Sequence, residues 1–241
     1  MSLSEVAYQN LLLRALPRED LEHLRPQLEF VVLKHRQVLQ HARLPIKNFY
    51  FVEQGLVSVV AKTGAGKAVE VWSVGRDGVV GLARLVGQKI PLNKYVVEID
   101  GAAFRIGIEA LERSLLDLGS LRRLLFRHLL SVLLQTAQLS GCNLCHPLPQ
   151  RLARWLLTAM DRSGCNQFAI TQDVLARLLG VRRATISECL HEFKEAGILD
   201  NAWGSIRILD AERLEALSCE CYHIVRMISL EYWQDKVSVR V

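Results

Sequence analysis

The stretch TQDVLARLLGVRRATISECLHEFKEAGIL, Thr171 to Leu199, constrains the fold of this chain more than any other. Two helical patterns meet in it at one glycine. Val174, Leu175, Leu178 and Leu179 recur at helical spacing before Gly180, and Ile186, Leu190 and Phe193 do so after it. Thr171 is placed to cap the first helix, Gln172 to Leu179. A glycine in the left-handed conformation ends that helix sharply and leaves Val181 to fill the angle. The second helix runs from about Arg183 to Ala196 and stops at Gly197. Strands about Ile198–Leu199 and Ser205–Leu209 follow, around a turn holding Asn201 and Gly204. Helix, helix, hairpin is the order of a winged helix-turn-helix. In that arrangement Arg182, Arg183, Thr185, Ser187 and Glu188 lie at the start or on the open face of the second helix, where phosphates and base edges are met. Thr171 and, near the wing tip, Trp203 complete the expected DNA-contacting set. A helical hairpin beside a β-hairpin, with no nucleic acid involved, has the same periodicity and stands as the plainer alternative.

Upstream the texture differs. From Glu29 to Ile108 the chain is a series of short β-branched and aromatic runs, FVVL, FYFVE, LVSVVA, AVEVWSV and YVVEI, broken by Gly, Pro and Asn turns. Such spacing favours an antiparallel sandwich or roll. Leu3–Leu13 and Arg18–Leu24 read as short helices before it. After Glu109, leucines at three- and four-residue steps through LRRLLFRHLLSVLLQTAQLS specify a long helix with a wide apolar stripe. One side of it can face the roll while another pairs with a twin, and Leu121, Leu125, Leu129, Val132, Leu133 and Leu139 are the expected dimer contacts. The prolines of HPLPQ interrupt that helix.

The architecture expected is therefore α+β. Residues 1–118 form an N-terminal double-stranded, jelly-roll-like β-roll, and 119–146 a dimerisation helix and hinge. A winged helix-turn-helix occupies 147–215, and 216–241 are a C-terminal extension.

Charge adds little. The formal net charge is +5, but residues 147–215 carry nine basic and nine acidic groups, so only the local cluster at Arg182–Arg183 speaks for DNA. The beginning of the sequence has no basic, apolar and cleavage-like succession, and no stretch has the length and apolarity of a membrane span; a cytoplasmic location and free thiols are expected. Gly64-Ala65-Gly66-Lys67 lacks phosphate-loop spacing and reads as a hairpin turn. No nucleophile with a partnered base emerges, so no enzyme is expected.

These features together resemble the Crp/Fnr family of bacterial transcription regulators. ITQDVLARLLGVRRATISECLHEFKEAGIL is similar to its DNA-binding signature, and FYFVEQGLVSVV to a segment of its roll. The resemblance implies a homodimer on a pseudo-palindromic double-stranded DNA site, with RNA polymerase as a further partner and no membrane. It also marks departures. The family's recognition helix opens with an Arg-Glu pair and has another Arg four residues after the Glu; the matching residues here are Arg183, Ala184 and Glu188. Cyclic-nucleotide-binding members carry Gly-Glu and then Arg-Ser, where this chain has Gly81-Leu82 and, approximately, Asn93-Lys94. Leu82 cannot accept from a ribose hydroxyl, so the reading is a regulator that does not depend on a cyclic nucleotide, its effector unknown.

The six cysteines are Cys142, Cys145, Cys165, Cys189, Cys219 and Cys221. Cys142, Cys145 and His146 make the C-x-x-C-H run of haem attachment, without the export signal that chemistry accompanies. CNLCH and SCECY could supply thiolates to a metal, yet nothing in one dimension joins them. Iron–sulfur members of the family use an N-terminal cluster, and the first cysteine here is Cys142. The expectation is no cofactor and no metal. A thiol- or metal-based redox sensor, or a ligand-binding or protein-interaction module with a vestigial helix-turn-helix, is the alternative.

Overall fold

The structure, a computed structural model, describes residues 7–62, 68–202 and 204–231. The expected turn at Gly64–Lys67 and the wing-tip Trp203 lie outside the described residues, as do residues 1–6. Among the described residues the first helix, α1, spans Leu11–Ala15, because Asn10 accepts hydrogen bonds from the Leu12 and Leu13 amides and starts the helix there; residues 7–10 of the expected Leu3–Leu13 helix are not helical. α2 covers Arg18–Leu24 after Pro17.

The strands are β1 (Glu29–Leu33), β2 (Val38–Gln40), β3 (Asn48–Lys62), β4 (Ala68–Val74), β5 (Val79–Val80) and β6 (Lys94–Gly107). β3 and β6 are long, bent and antiparallel, paired along most of their length, with register shifts in β3 between Val52 and Val57. Their two halves recruit different neighbours. Val57–Lys62 of β3 pairs β4, while Tyr50 and Phe51 pair β5. β6 likewise pairs β1 through its second half and β2 through its first. One sheet thereby folds over itself as a roll, and its inside is filled by Phe49, Phe51, Trp72, Val97 and Ile106. The run FYFVEQGLVSVV is one continuous bent strand, where a strand, a glycine and a second strand were expected.

α3 (Ile108–Asp117) leads into α4, Gly119–Cys145, a helix of 27 residues. Its first turns close the roll: Leu121 and Leu125 are fully buried in the roll's own core, and Leu129 and Val132 pack against it. That overturns the assignment of Leu121 and Leu125 to a twin helix, since a side chain without exposed surface has none to offer a partner. The face left open carries Phe126, Leu130, Leu133, Ala137, Ser140 and Leu144, at strict alternating steps of four and three.

Beyond the break at Pro147 come α5 (Leu148–Ser163), β7 (Gln167–Ala169), α6 (Gln172–Leu179), α7 (Arg183–Glu195), β8 (Leu199–Ala202) and β9 (Ser205–Ile208). β7, β9 and β8 form a three-stranded antiparallel wing sheet. α8 (Ala211–Ala216) and α9 (Cys221–Glu231) complete the described residues, and α9 returns to pack on α4 and α5. No helix among the described residues is long and apolar enough to cross a membrane.

One side chain joins the roll, α4 and α5. Arg162, on α5, pairs with Asp77 (Nε to Oδ2, 3.0 Å) and donates to Ser73 Oγ (2.7 Å) and Gln135 Oε1 (2.6 Å). The approach is so close that a Cβ on Gly75 would lie 2.3 Å from the Arg162 Cβ; only glycine fits. Burial alone would raise the Asp77 carboxyl, but the Arg162 charge, then His128, outweigh it and hold it below the usual carboxylate range. Arg162→Ala is expected to cost roughly 3–5 kcal/mol, because it strands the Asp77 charge in the interior. Urea unfolding of the full chain checks this, and a loss under about 1 kcal/mol would contradict it.

Candidate functional site

The helix pair forms as its residues dictate. Thr171 Oγ1 accepts from the Val174 amide at 3.3 Å and caps α6. Gly180 has φ +70° and lets the chain leave α6, its N–H bonding the Ala176 and Arg177 carbonyls. Val181 packs against the domain core between the two helices. Ile186, Cys189, Leu190 and Phe193 face inward on α7.

The other face of α7 is open. Arg182, Arg183, Ala184, Thr185 and Glu188 are exposed and Ser187 is half-buried. Arg182 stands at the N-cap in extended geometry, and no side chain caps the helix. Its first amides and the positive end of its dipole are thus left for an anion. Further along, Glu188, Glu192 and Glu195 are exposed, so the helix is basic at its start and acidic beyond. A polyanion can meet its N-terminal end but is repelled from its middle. Arg183 Nε lies 3.6 Å from Asp173 Oδ1, with both side chains about two-thirds exposed; such a pair is weak and readily exchanged for another acceptor. Thr171, Asp173, Arg183, Asn201 and Ser205 line a concavity of about 320 Å³ between the helices and the wing.

Of the sequence-expected residues, Thr171 and Arg183 line this concavity, while Arg182, Thr185 and Glu188 are exposed at the start and on the outer face of α7 and Ser187 is half-buried there. Thr171 also has a structural task that its sequence position suggested. Cys189 is beneath this surface, and burial pushes its thiol up, away from the thiolate form.

This unit is fastened to the roll. Trp155 Nε1 donates to Glu70 Oε1 at 2.8 Å, and Arg177 pairs with the buried Glu98 at 2.9 Å. Burial pushes the Glu70 carboxyl up to about 6 against hydrogen bonds from Ser58 and Trp155 that favour its charge. Trp155, expected in the core, is there, and the polar bond to the roll is what its sequence pattern did not tell.

In the roll, Leu82 is buried in the core directly after Gly81. Lys94 opens β6, half-buried. Apolar packing therefore occupies the position where a ribose acceptor would be needed. Trp72 stacks edge-on against Tyr95, with ring centroids 6.5 Å apart, and tilts toward His128 of α4 at 6.4 Å.

The cysteines behave differently from their one-dimensional reading. Cys142 and His146, at the end of α4, meet Cys219 and Cys221, at the entry to α9; the four ligating atoms lie within 4.8 Å of one another. Cys145, the other thiol of the C-x-x-C-H run, is exposed and outside the group. Helical spacing does not predict this split, because Cys145 and His146, three and four residues after Cys142, are both its neighbours on the helix; the exposure of Cys145 outside the group is a tertiary outcome. The approach of α9 could not be seen in the sequence.

Comparison with known proteins places these features. Residues 150–217 match the Crp-like helix-turn-helix domain. A transcriptional regulator of the Crp/Fnr family from Eubacterium rectale shares the fold with TM-score 0.64 at 20% identity, over 86% of this chain and 97% of that one. FixK2 from Bradyrhizobium japonicum gives TM-score 0.64 at 18% identity, over 80% and 98%. CLP, the c-di-GMP responsive global regulator of Xanthomonas campestris, gives 0.63 at 18% identity, over 80% and 99%. No curated protein matches the sequence.

The two tasks of Thr171 can be separated. Thr171→Ala should cost about 1 kcal/mol of stability through the lost cap, whereas Thr171→Asp should keep the cap and weaken DNA binding by adding a negative charge to the surface. Thermal unfolding and a DNA-binding titration read the two effects. Unchanged DNA affinity in Thr171→Asp would remove Thr171 from the contact surface.

Proposed function

We propose that this chain, which has the fold of the Crp/Fnr transcription regulators and a Crp-like helix-turn-helix domain, acts as a homodimeric, sequence-specific DNA-binding regulator whose roll is not switched by a cyclic nucleotide. The observation that carries the reading is the open, uncapped, basic N-terminal end of α7 standing on a fully packed helix-turn-helix. Arg183 can donate two parallel hydrogen bonds to guanine O6 and N7, and Glu188 can accept from cytosine N4. Arg182, Thr185, Ser187 and the free helix amides suit phosphate oxygens, which set register without reading sequence. Two such helices about 34–36 Å apart would enter successive major grooves of a pseudo-palindrome. RNA polymerase is the further partner through which a bound regulator would act.

The twin is supported by the open seam of α4. Phe126 and Leu130 are each 45% exposed and Leu133 is 64% exposed, and with Ala137, Ser140 and Leu144 they keep the spacing of a coiled-coil contact. Leu133, among the residues expected from sequence, belongs to this seam; Leu129, Val132 and Leu139 flank it. A second reading, a regulator whose input is thiol- or metal-based, is favoured by one specific observation: three cysteines and a histidine from distant segments converge where the long helix passes into the DNA-binding unit.

Selection from random DNA, with and without cyclic AMP, tests the principal reading. A recovered palindrome that is the same in both arms is expected, and absence of any enriched site would sink specific regulation. Arg183→Ala should lose about 1–3 kcal/mol of discrimination at one base pair of each half-site, while Arg182→Ala should weaken all sequences alike. Identical sequence profiles for the two variants would contradict that division. Leu133→Asp should convert the dimer to monomer in sedimentation velocity at micromolar concentration, with the fold retained by circular dichroism; an unchanged dimer would place the interface elsewhere.

A further inference from the structure

We infer that Cys142, His146, Cys219 and Cys221 form a binding site for a single zinc-class divalent ion, which clasps the two ends of the DNA-binding domain to the foot of the long helix.

The group is assembled from two local pairs. Cys142 and His146 lie one turn apart at the C-terminus of α4, where the His146 amide donates to the Cys142 carbonyl. Cys219 and Cys221 stand either side of Glu220 as the chain enters α9, with the Tyr222 amide bonded to the Cys219 carbonyl at 3.0 Å. The pairs are brought together from 77 residues apart, and the whole Crp-like domain, 150–217, lies between them. A cation held here would close that domain at its neck.

Two of the donor separations suit one tetrahedral ion, and all four donor atoms lie within 4.8 Å of one another. With metal–sulfur bonds of about 2.3 Å and a metal–nitrogen bond of about 2.0–2.1 Å, neighbouring donor atoms should be roughly 3.6–3.8 Å apart. The Cys142 and Cys219 sulfurs are 3.5 Å apart, and Cys221 Sγ is 3.6 Å from His146 Nδ1. Those sulfurs are far outside disulfide bonding distance, about 2.05 Å. Three thiolates and one imidazole are a soft donor set of the kind that closes structural zinc sites.

The surroundings are those of a ligand shell. His146 Nε2 lies 3.3 Å from Glu220 Oε1, so a proton on Nε2 can be given to that carboxylate, leaving Nδ1 with its lone pair toward the sulfurs. Gln138 Nε2 donates to Cys221 Sγ at 3.1 Å. Three thiolates exceed a divalent ion by one negative charge. Arg154 of α5 is buried and has a buried Nε without a hydrogen-bond partner among the described residues.

The inference gives the thiol-centred reading of the regulator its ligand and rests on that reading only for the regulatory consequence. Its test needs no DNA, so a failure to select a palindrome and a failure to bind metal are separate results. The full chain, purified without chelator, is assayed for zinc by elemental analysis and then stripped and titrated with cobalt(II). About one zinc per chain is expected, with cobalt giving the intense thiolate charge-transfer bands and visible bands of a tetrahedral site. Cys142→Ser, Cys219→Ser and Cys221→Ser should each abolish stoichiometric binding. Glu220→Gln, which leaves every ligand in place and keeps the chain folded, should weaken zinc affinity about 10- to 100-fold. Cys145→Ser and Cys189→Ser should bind as the parent does. Folded parent protein that takes up neither zinc nor cobalt, a Cys142–Cys219 disulfide formed in its place, or loss of binding in Cys145→Ser would each overturn the site.

Discussion

The structure depends on a guanidinium at its centre. Arg162 belongs to the helix that opens the DNA-binding unit, but its partners are Asp77 and Ser73 of the roll and Gln135 of the long helix. An arginine removed from water must be fully paired, and here each arm of its planar fork has an acceptor from a different segment. Gly75 allows the backbones to come close enough for this to happen. The relation of roll, long helix and output domain is thus fixed by directional bonds, where apolar packing alone would permit sliding. Trp155 to Glu70 and Arg177 to Glu98 hold the same boundary at two further points.

That boundary divides the long helix into two working faces. One line, His128, Ser131, Gln135, Gln138 and Cys142, looks inward to the roll and α9, with Ser131 donating to the Ile228 carbonyl at 3.4 Å and Gln135 reaching Arg162. The other, Phe126, Leu130, Leu133, Ala137, Ser140 and Leu144, is open. Ser131, Gln135 and Gln138 of the polar line are hydrogen-bonded within the chain, whereas the apolar line is exposed. The same helix ends at Cys142 and His146, where α9 comes back to it. Signals from thiol or metal chemistry at that point would act on the neck between the long helix and the DNA-binding domain, far from the roll interior where cyclic-nucleotide chemistry would act.

Much of this was legible in the sequence, for identifiable reasons. The helix-turn-helix is a local structure: the Thr171 cap, the left-handed Gly180 and the three-four repeat of Val174 to Phe193 are decided by near neighbours. Its exposed surface follows from the same repeat, so Arg182, Arg183, Thr185 and Glu188 could be named without coordinates. The open line of α4 keeps a strict four-three spacing, and of the contacts expected from sequence only Leu133 lies in that line, but the apolar stripe of α4 is wider than a coiled-coil seam. Its width made Leu121 and Leu125 look equivalent to Leu133, and only contact with the roll separates them.

The sequence by itself determined the order of units, a β-rich roll, a long helix and a winged helix-turn-helix, because alternation, helical period and turn residues act over a few positions. It also determined that Leu82 cannot serve a ribose hydroxyl, since that depends on what a side chain is. The tertiary structure alone decided which leucines of α4 face inward, that Arg162 is a joint, and that CNLCH and SCECY belong to one cluster without Cys145. Each of these depends on where α9 and the roll come to rest against α4. Such packing is set by the sum of distant burial and hydrogen-bonding free energies, to which no local pattern in the chain corresponds.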